Sequence, residues 1–291
     1  MSSNLALVIG GSGSVGSLFC ELLLKRYQKV VVVDLVENRQ LKKMGVDFTR
    51  GDIGHLSEID LINDAELVLV TTPEEPAIHA IDSLVSLLHP GQCLIDTLSV
   101  KSPISKSLRR LGSGVEAISI NPMFGPSLGF NGQSVAAVDY CSGPISNSFL
   151  GALQSAGAEV VYLSAEQHDQ YTAAIQAATH AAIISFGLAL KNMNYDSEIA
   201  KGIWTPPHRL MLSLLARVLS ADPEVYRDIQ TSNPFAEDAR EALSRAVQEL
   251  SRNIETSDPK HFEELFNSLK PITERSRPEL IDLFKSATKQ Q

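Results

Sequence analysis

The chain begins its first helical segment with the sequence GGSGSVG, whose glycines are spaced to hold a phosphate group. Gly11, Gly13 and Gly16 stand in a G-x-G-x-x-G register directly after an apolar run. In this register the first glycine makes a tight turn, the second lets the backbone approach a pyrophosphate, and the third allows close packing of helix on strand. Ser14 and Val15 would begin the helix whose free backbone amides receive the anion. The motif therefore predicts a dinucleotide-binding site.

Asp34 is the second candidate contact for a dinucleotide. It ends the next apolar run, 21 residues after Gly13, where a carboxylate accepts hydrogen bonds from ribose hydroxyls. Such a carboxylate would repel the additional phosphate of NADP, so the sequence favours NAD, although Arg39 could instead hold that phosphate. The end of the following run is expected to line the crevice under the cofactor or to form an ordinary turn. This segment consists of Thr71, Thr72 and Pro73.

Short apolar runs alternate with helical patterns in the first part of the chain. The runs occupy residues 5–9, 29–34, 66–71, 93–97, 116–120, 134–139 and 159–163. Nearly continuous apolar strands separated by helices are typical of a mostly parallel, doubly wound sheet that is covered on both faces. After Ser164 the pattern is entirely helical. We therefore expect an α/β fold with a Rossmann-type NAD-binding domain over residues 1–164 and an all-helical substrate and dimerisation domain over residues 165–291.

The first helix of the second half, Glu166 to Lys191, is apolar around most of its circumference. Such a helix needs cover on every side, which one small helical domain can hardly supply, so the pattern predicts a homodimer. Residues 171–190 are uncharged and nearly long enough to span a bilayer, but Gln176 and His180 would be costly in lipid. We expect a buried helix of a soluble protein and no membrane partner.

The composition points to a small-molecule ligand. A formal charge of −9 and a pI near 5.3 argue against duplex nucleic acid or an anionic membrane surface, because both need a dense cationic face. Cys20, Cys93 and Cys141 lie far apart in the sequence, as buried free thiols of a cytoplasmic protein would. The histidines show no ligand spacing, so no metal is assigned.

Two further polar segments follow predicted strands, namely DTLSVKS at residues 96–102 and NPMFGP at residues 121–126. After them come EQHDQYTAAIQAATH at residues 166–180 and HRLMLSLLARVLSADPEVYRDI at residues 208–229. Together with the glycine motif, this order resembles the prephenate dehydrogenase family, including arogenate dehydrogenases, over residues 5–270. The resemblance implies NAD-linked oxidative decarboxylation of a cyclohexadiene, in which hydride leaves C4, carbon dioxide leaves C1 and the ring becomes aromatic.

The resemblance also implies roles for individual residues. The serine of the family's SVK segment falls on Ser99, which would bond the C4 substituent, and Lys101 follows it as a further substrate contact. The family's substrate arginine falls on Arg217, with a second arginine of that helix at Arg209. These two lie within about 80° of each other around a helix and could bind the substrate's carboxylates together. The alternatives are plain loop polar groups for Ser99 and Lys101 and structural ion pairs for the arginines.

Three other polar residues of the helical half have open roles. Gln176 and His180 lie one turn apart on the apolar helix and are either pocket lining, as substrate contacts, or satisfied core groups. His168 is expected at a helix start or dimer interface and not as a direct catalyst.

Asn121 is where this chain departs from the family. Members that act on a C4 hydroxyl carry histidine immediately before the proline of the PMFG turn, and that histidine takes the hydroxyl proton as hydride departs. This chain has Asn121 at that position. A side-chain amide cannot act as a general base near neutral pH, so the family's usual assignment fails at its central residue.

Three explanations of Asn121 compete. In the first, C4 carries an amine, as in 4-amino-4-deoxyprephenate, whose nitrogen stabilises positive charge at C4 and needs only an orienting acceptor; the product, 4-aminophenylpyruvate, leads to 4-aminophenylalanine in antibiotic and related secondary pathways. In the second, the substrate is prephenate or arogenate, and Ser99 or a water takes the proton at a lower rate. In the third, the protein is a non-catalytic NAD-binding regulatory dimer, although the retention of Ser99 and Arg217 argues against it. We favour the first.

Overall fold

The computed structural model describes residues 4–255 and 258–289. Within the described residues the chain divides into two compact units. The first takes in the described residues up to Thr172 together with Thr231–Pro234, and the second takes in Ala173–Gln230 and the described residues from Phe235 onward. The domain boundary expected between residues 164 and 165 stays a prediction.

The first unit is built on one eight-stranded sheet. Its strands are β1 Leu5–Ile9, β2 Lys29–Asp34, β3 Asp47–Arg50, β4 Leu67–Val70, β5 Cys93–Asp96, β6 Glu116–Pro122, β7 Ser134–Cys141 and β8 Glu159–Tyr162. The spatial order is β3-β2-β1-β4-β5-β6-β7-β8, and every neighbouring pair is parallel except β6 with β7. The predicted doubly wound α/β fold is confirmed.

The helices of this unit connect the strands. They are α1 Ser14–Leu23, α2 Arg39–Lys43, α3 Leu61–Asp64, α4 Glu74–Leu87, α5 Ser102–Leu108, α6 Pro144–Ser155 and α7 Ala165–Thr172, with 3-10 turns at Ile53–Glu58 and Pro126–Leu128. Strands β1, β4 and β5 are buried along their whole length, because apolar clusters cover both faces of the sheet.

Two details of this unit differ from the sequence-based expectation. Strand β3 was not predicted, because its sequence DFTR holds one large apolar residue and lies at the edge of the sheet. Cys20 and Cys93 are buried free thiols as expected, but Cys141 is exposed. It is the last residue of β7, where the register with β6 shifts, so the prediction of burial is wrong there.

The second unit is helical throughout its described part. It begins with a π-helical segment, Ala173–Ala178, followed by α8 Thr179–Asn192, α9 Ser197–Ala200, a 3-10 turn Lys201–Ile203, α10 Pro206–Leu219, α11 Pro223–Thr231, α12 Ala236–Glu255, α13 Pro259–Thr273 and α14 Arg277–Lys289. Asp222 and Asp258 cap helix starts by accepting hydrogen bonds from the amides of Glu224 and Lys260, both at 3.0 Å.

The apolar helix found in the sequence is long and apolar enough, over Ala165–Asn192, to cross a membrane by length and composition alone. The core helix of a soluble protein has the same properties. Only 17% of its most apolar stretch is buried by the described residues, which agrees with the expectation that a single chain can hardly cover this helix. Its apolar surface requires cover beyond what residues 4–255 and 258–289 provide.

Candidate active site

The glycine turn after β1 has the geometry of a dinucleotide site. A Cβ on Gly11 would lie 2.5 Å from Val32 Cγ2, and one on Gly16 would lie 2.5 Å from the Cα of Gly11. Both glycines are therefore required by packing. A Cβ on Gly13 would meet nothing closer than 3.5 Å, an ordinary van der Waals contact, so packing within the chain does not require a glycine there. Gly13 is the N-cap of α1 and gives that helix no side-chain cap, which leaves the amide end free for an anion.

Some polar groups beside this turn lack the hydrogen-bond partners that a bound ligand would supply. The hydroxyl oxygens of Ser12 and Thr72 are buried and have no hydrogen-bond partner among residues 4–255 and 258–289. Thr71 Oγ1 donates to the carbonyl oxygen of Ile9 at 3.0 Å. Asp34 Oδ2 accepts a hydrogen bond from the amide of Ser12 at 3.0 Å, which fixes the carboxylate beside the glycine turn. These residues fit a bound dinucleotide.

Ser99 lies on the loop between β5 and α5. It donates hydrogen bonds to a carboxylate that the sequence analysis did not assign to the site. Glu74, the first residue of α4, is buried. Its Oε2 accepts hydrogen bonds from the Ser99 amide at 3.0 Å and from Ser99 Oγ at 2.8 Å, and its Oε1 accepts one from the Val100 amide at 2.9 Å. Burial raises the pKa of Glu74, and the hydrogen bonds from Ser99 offset part of that rise.

Lys101 has a different place from the one expected. Its side chain is fully buried, and its Nζ donates to Leu98 O at 2.6 Å, to Ile120 O at 2.7 Å and to Asp96 Oδ1 at 3.3 Å. These bonds use all three ammonium protons. Burial lowers the pKa of Lys101, while the charge of Asp96 opposes that shift. Lys101 therefore supports the loop from inside and has no proton left for a substrate carboxylate, which corrects the sequence-based assignment.

Asn121 is buried on β6 and contacts His168 of α7. Asn121 Nδ2 lies 3.1 Å from His168 Nε2, and His168 Nδ1 lies 2.8 Å from Asp169 Oδ1. Asp169 also accepts hydrogen bonds from the amides of Lys101 at 2.8 Å and Ser102 at 2.7 Å. One carboxylate thus joins the start of α5 to the imidazole that contacts Asn121.

The network fixes which way the Asn121 amide points. Asp169 can only accept, so the proton of a neutral His168 lies on Nδ1 and leaves Nε2 as an acceptor for the amide nitrogen of Asn121. Burial lowers the pKa of His168, which keeps the ring neutral. Burial raises the pKa of Asp169, but the hydrogen bonds from His168 and Ser102 outweigh it, so the net pKa is lowered. Asn121 Oδ1 receives no hydrogen bond within the described part of the chain.

The remaining predicted contacts belong to the second unit. Arg209 and Arg217 are exposed on α10, and neither makes an ion pair or side-chain hydrogen bond with a described residue, so the structural ion pair considered as an alternative is absent there. Gln176 is half-buried in the π-helical segment. His180 packs edge-on against Tyr226, with ring centroids 4.8 Å apart. Burial and the charge of Arg217 lower the pKa of His180.

Sequence reasoning missed three acidic residues of the first unit and the contact between His168 and Asn121, although it placed His168 correctly near a helix start. Glu74 directly follows the Thr-Thr-Pro strand end, and Asp169 directly follows His168. Asp96 ends β5 and accepts from Ser119 Oγ at 2.7 Å. Their positions at strand ends or beside a motif residue are the only signal in the sequence. His168 is fully buried against Asn121.

A doubly wound sheet with a glycine turn at its first strand, and a buried polar network where its strands β5 and β6 end, defines a nicotinamide-dinucleotide dehydrogenase. Family models for the nucleotide-binding domain and the dimerization domain of prephenate dehydrogenase match residues 21–139 and 164–270. A 4-amino-4-deoxyprephenate dehydrogenase from Streptomyces pristinaespiralis is 39% identical over 91% of this chain and 90% of that relative. The chain belongs to the prephenate dehydrogenase family and is an NAD-dependent dehydrogenase, as the motifs predicted.

Two more distant similarities concern one relative in sequence and one solved structure in fold. A probable arogenate/prephenate dehydrogenase from Methanocaldococcus jannaschii is 27% identical over 90% of this chain, which spans 59% of that relative's length. The crystal structure of prephenate dehydrogenase from Aquifex aeolicus in complex with hydroxyphenyl propionate and NAD+ has the same fold, with a TM-score of 0.72, 18% identity and coverage of 96% of this chain and 99% of that chain.

Proposed function

We propose that this protein converts 4-amino-4-deoxyprephenate to 4-aminophenylpyruvate by oxidative decarboxylation. The observation that carries the proposal is Asn121, held by His168 so that its Oδ1 is the free acceptor. The similarity to the 4-amino-4-deoxyprephenate dehydrogenase from Streptomyces pristinaespiralis also supports the proposal. An amide oxygen suits a C4 amine, because it accepts an N–H and orients the nitrogen without acting as a base.

The chemistry at C4 explains why residue 121 itself need not be a base. An amine nitrogen attached to C4 donates its lone pair more strongly than a hydroxyl oxygen does. It therefore stabilises the positive charge that develops at C4 as hydride leaves. A protonated imidazole at position 121 would instead repel an ammonium substrate. Asn121 orients the nitrogen, and Ser99 Oγ provides a second contact to it.

The substrate's carboxylates are assigned to arginines. Arg217, assisted by Arg209, binds them as a guanidinium fork, and the absence of ion pairs to either side chain within residues 4–255 and 258–289 leaves both free for this role. Gln176 stays a candidate contact, since it is half-buried and precedes His180 by one turn. Lys101 acts only through the loop that carries Ser99.

NAD is the proposed cofactor in preference to NADP, and it supplies the hydride acceptor when bound. Gly11, Gly13 and Gly16, with the amide end of α1 at Ser14 and Val15, would hold the pyrophosphate. The carboxylate of Asp34 would accept hydrogen bonds from the ribose hydroxyls and would repel a 2′-phosphate. The segment Thr71, Thr72 and Pro73, which brings an unpartnered buried hydroxyl, would line the crevice.

The proposed oligomeric state rests on the helical unit, and the proposed cellular compartment rests on the free thiols. A homodimer formed through that unit would cover the exposed apolar surface of helix Ala165–Asn192 and agrees with the matched dimerization domain. Three free cysteines suit a reducing cytoplasm, and the proposed product suits the biosynthesis of 4-aminophenylalanine in antibiotic or related secondary pathways.

The test is a comparison of kcat/KM for 4-amino-4-deoxyprephenate, prephenate and arogenate with NAD, following NADH formation. We expect the amino compound to be the best substrate. A preference of about 100-fold for prephenate would reject the proposed substrate and leave a tyrosine-pathway dehydrogenase. NAD binding in calorimetry with no turnover of any of the three would indicate a regulatory dimer.

A further inference from the structure

Glu74 is a buried carboxylate one hydrogen bond away from the serine assigned to C4. We propose that Glu74 receives, through Ser99, the proton that the C4 nitrogen loses, and that its charge selects an ammonium over a hydroxyl at C4. This inference rests on the proposed function. It supplies the proton acceptor that Asn121 cannot be.

The contacts of Glu74 determine the direction of the Ser99 hydroxyl. Oε2 accepts from both the amide and the Oγ of Ser99, at 3.0 and 2.8 Å, and Oε1 accepts from the Val100 amide at 2.9 Å. An ionised carboxylate cannot donate, so the hydroxyl proton of Ser99 points at Glu74. The lone pairs of Ser99 Oγ are then the part of this half-buried side chain that faces an N–H donor.

The surroundings favour proton uptake by Glu74. The carboxylate is 7% exposed, and burial raises its pKa. Lys101 is the charged group that acts on it and opposes this rise. However, the Nζ protons of Lys101 are engaged by Asp96, Leu98 O and Ile120 O, so no ammonium proton neutralises Glu74 directly.

The proposed step balances as follows. The C4 ammonium gives one proton to Ser99 Oγ while the Ser99 hydroxyl proton passes to Glu74 Oε2, which leaves a neutral amine and a neutral carboxylic acid. The freed nitrogen lone pair supports loss of hydride from C4, for which bound NAD would be the acceptor. The electron pair of the bond between C1 and the carboxylate enters the ring, and carbon dioxide leaves. Glu74 returns its proton to solvent through Ser99 after product release.

The same carboxylate explains selectivity for nitrogen. An ammonium at C4 is positively charged and lies one serine away from a buried negative charge, whereas a hydroxyl is neutral and gains little from it. Charge interactions across so short a distance are strong where water is excluded. Glu74 therefore acts as a positioning residue for Ser99 and as the store for the proton.

The chain contains a matched control for this motif. Glu116 Oε2 accepts from the Ser146 amide at 2.7 Å and from Ser146 Oγ at 2.8 Å, and Glu116 Oε1 accepts from the Ile145 amide at 3.2 Å. The pattern repeats that of Glu74, but it lies at the start of α6. Glu74→Gln and Glu116→Gln remove the same charge from the same kind of hydrogen-bond set.

The experiment compares these variants as full chains, after NAD affinity and thermal unfolding show that each is folded. We expect Glu74→Gln to lower kcat for 4-amino-4-deoxyprephenate about 100-fold and to reduce the fall of kcat/KM on the acid side, because protonation of Glu74 no longer contributes to it. NAD affinity should stay unchanged, and Glu116→Gln should stay within about threefold of wild type in kcat, the scatter expected of a change away from the site. A loss with Glu74→Gln no larger than that with Glu116→Gln would overturn the proposal.

A double-mutant cycle tests whether Glu74 acts through Ser99. The pair Glu74→Gln with Ser99→Ala should be no slower than Ser99→Ala alone, whereas additive losses would show independent action and reject the relay. If Glu74→Gln does not fold, Ser99→Ala alone decides, because it breaks the path to Glu74 and must reduce the acid-side fall seen with wild type. A wild-type preference for prephenate would reject the proposed function instead, which the wild-type comparison reveals without any variant.

Discussion

Asn121 Nδ2 lies 3.1 Å from His168 Nε2, in a part of the chain where both side chains are buried. The contact makes the amide nitrogen the donor and leaves the amide oxygen as the acceptor. In the proposed function, orientation of the substrate by Asn121 therefore depends on a residue 47 positions later in the chain, which has no proposed contact with substrate.

Replacing His168 tests this dependence. His168→Ala removes the acceptor for Asn121 Nδ2, and we expect kcat for the amino substrate to fall about tenfold, the effect of losing one hydrogen bond of about 1.5 kcal/mol. NAD affinity in calorimetry should not change. His79→Ala, which alters an exposed histidine of α4, is the control. Equal kcat in both variants would mean that His168 does not orient the amide.

The contact between Asn121 and His168 also predicts that substrate orientation and folding stability depend on pH. The pKa of His168 lies below its ordinary value of 6.5, mainly because of burial. Protonation at lower pH turns Nε2 into a donor, so the amide must rotate and withdraw its oxygen from C4. Because unfolded chains take up this proton more readily, folding stability also falls as the pH drops from 6.5 toward the lowered pKa. Urea unfolding across this range should show a loss that His168→Ala lacks.

Asn121→His should restore a general base for a hydroxyl and remove the acceptor for an amine. We expect kcat/KM for 4-amino-4-deoxyprephenate to fall and that for prephenate to rise, with a combined change in their ratio of about 100-fold or more. Steady-state assays with both substrates measure it. An unchanged ratio would show that residue 121 does not set selectivity.

Arg217→Ala should raise KM for the substrate, because a charged contact to a carboxylate is lost. The expected penalty is about 2 kcal/mol, or about 30-fold in KM, with a smaller effect for Arg209→Ala. Arg245→Ala is a suitable control, since Arg245 pairs with Glu241 on the surface of α12. A KM that matches the control would move Arg217 out of the binding site.

Lys101→Met should act on stability more than on substrate binding. The change leaves the buried Asp96 without its cation, and breaking a buried pair costs about 3–5 kcal/mol. The exposed pair of Lys42 with Glu37 provides the control, because Lys42→Met should cost at most about 1 kcal/mol. Chemical unfolding of both variants gives the two free energies, and similar values would contradict a supporting role for Lys101.

Two glycines of the same turn should respond differently to alanine. Gly13→Ala has room for its methyl group, so stability should hold while NAD affinity falls at least about tenfold, because the methyl group separates backbone and pyrophosphate. Gly11→Ala would press a methyl group onto Val32 and should cost about 1–3 kcal/mol of stability. Calorimetry and thermal unfolding separate the two effects. Full NAD affinity in Gly13→Ala would refute the assigned contact.

The residues that sequence reasoning located differ in kind from those it missed. Strands such as β1 and β4 are continuous apolar runs, and the glycine turn has a fixed spacing, so local patterns predicted both. Glu74 reaches Ser99, 25 residues away, only because β4 and β5 are neighbours in the sheet. No local pattern records such a contact. Lys101 was misplaced because sequence spacing does not tell whether a loop side chain turns inward.

The carboxylate of Asp169 joins the proposed active site to the fold around it, since it holds both the first turn of α5 and the imidazole behind Asn121. A replacement of His168 would remove one of the hydrogen bonds that hold Asp169 in place beside the loop that carries Ser99. We therefore expect relatives that differ in using an oxygen or a nitrogen substituent at C4 to differ at residue 121 and to share His168 and Asp169.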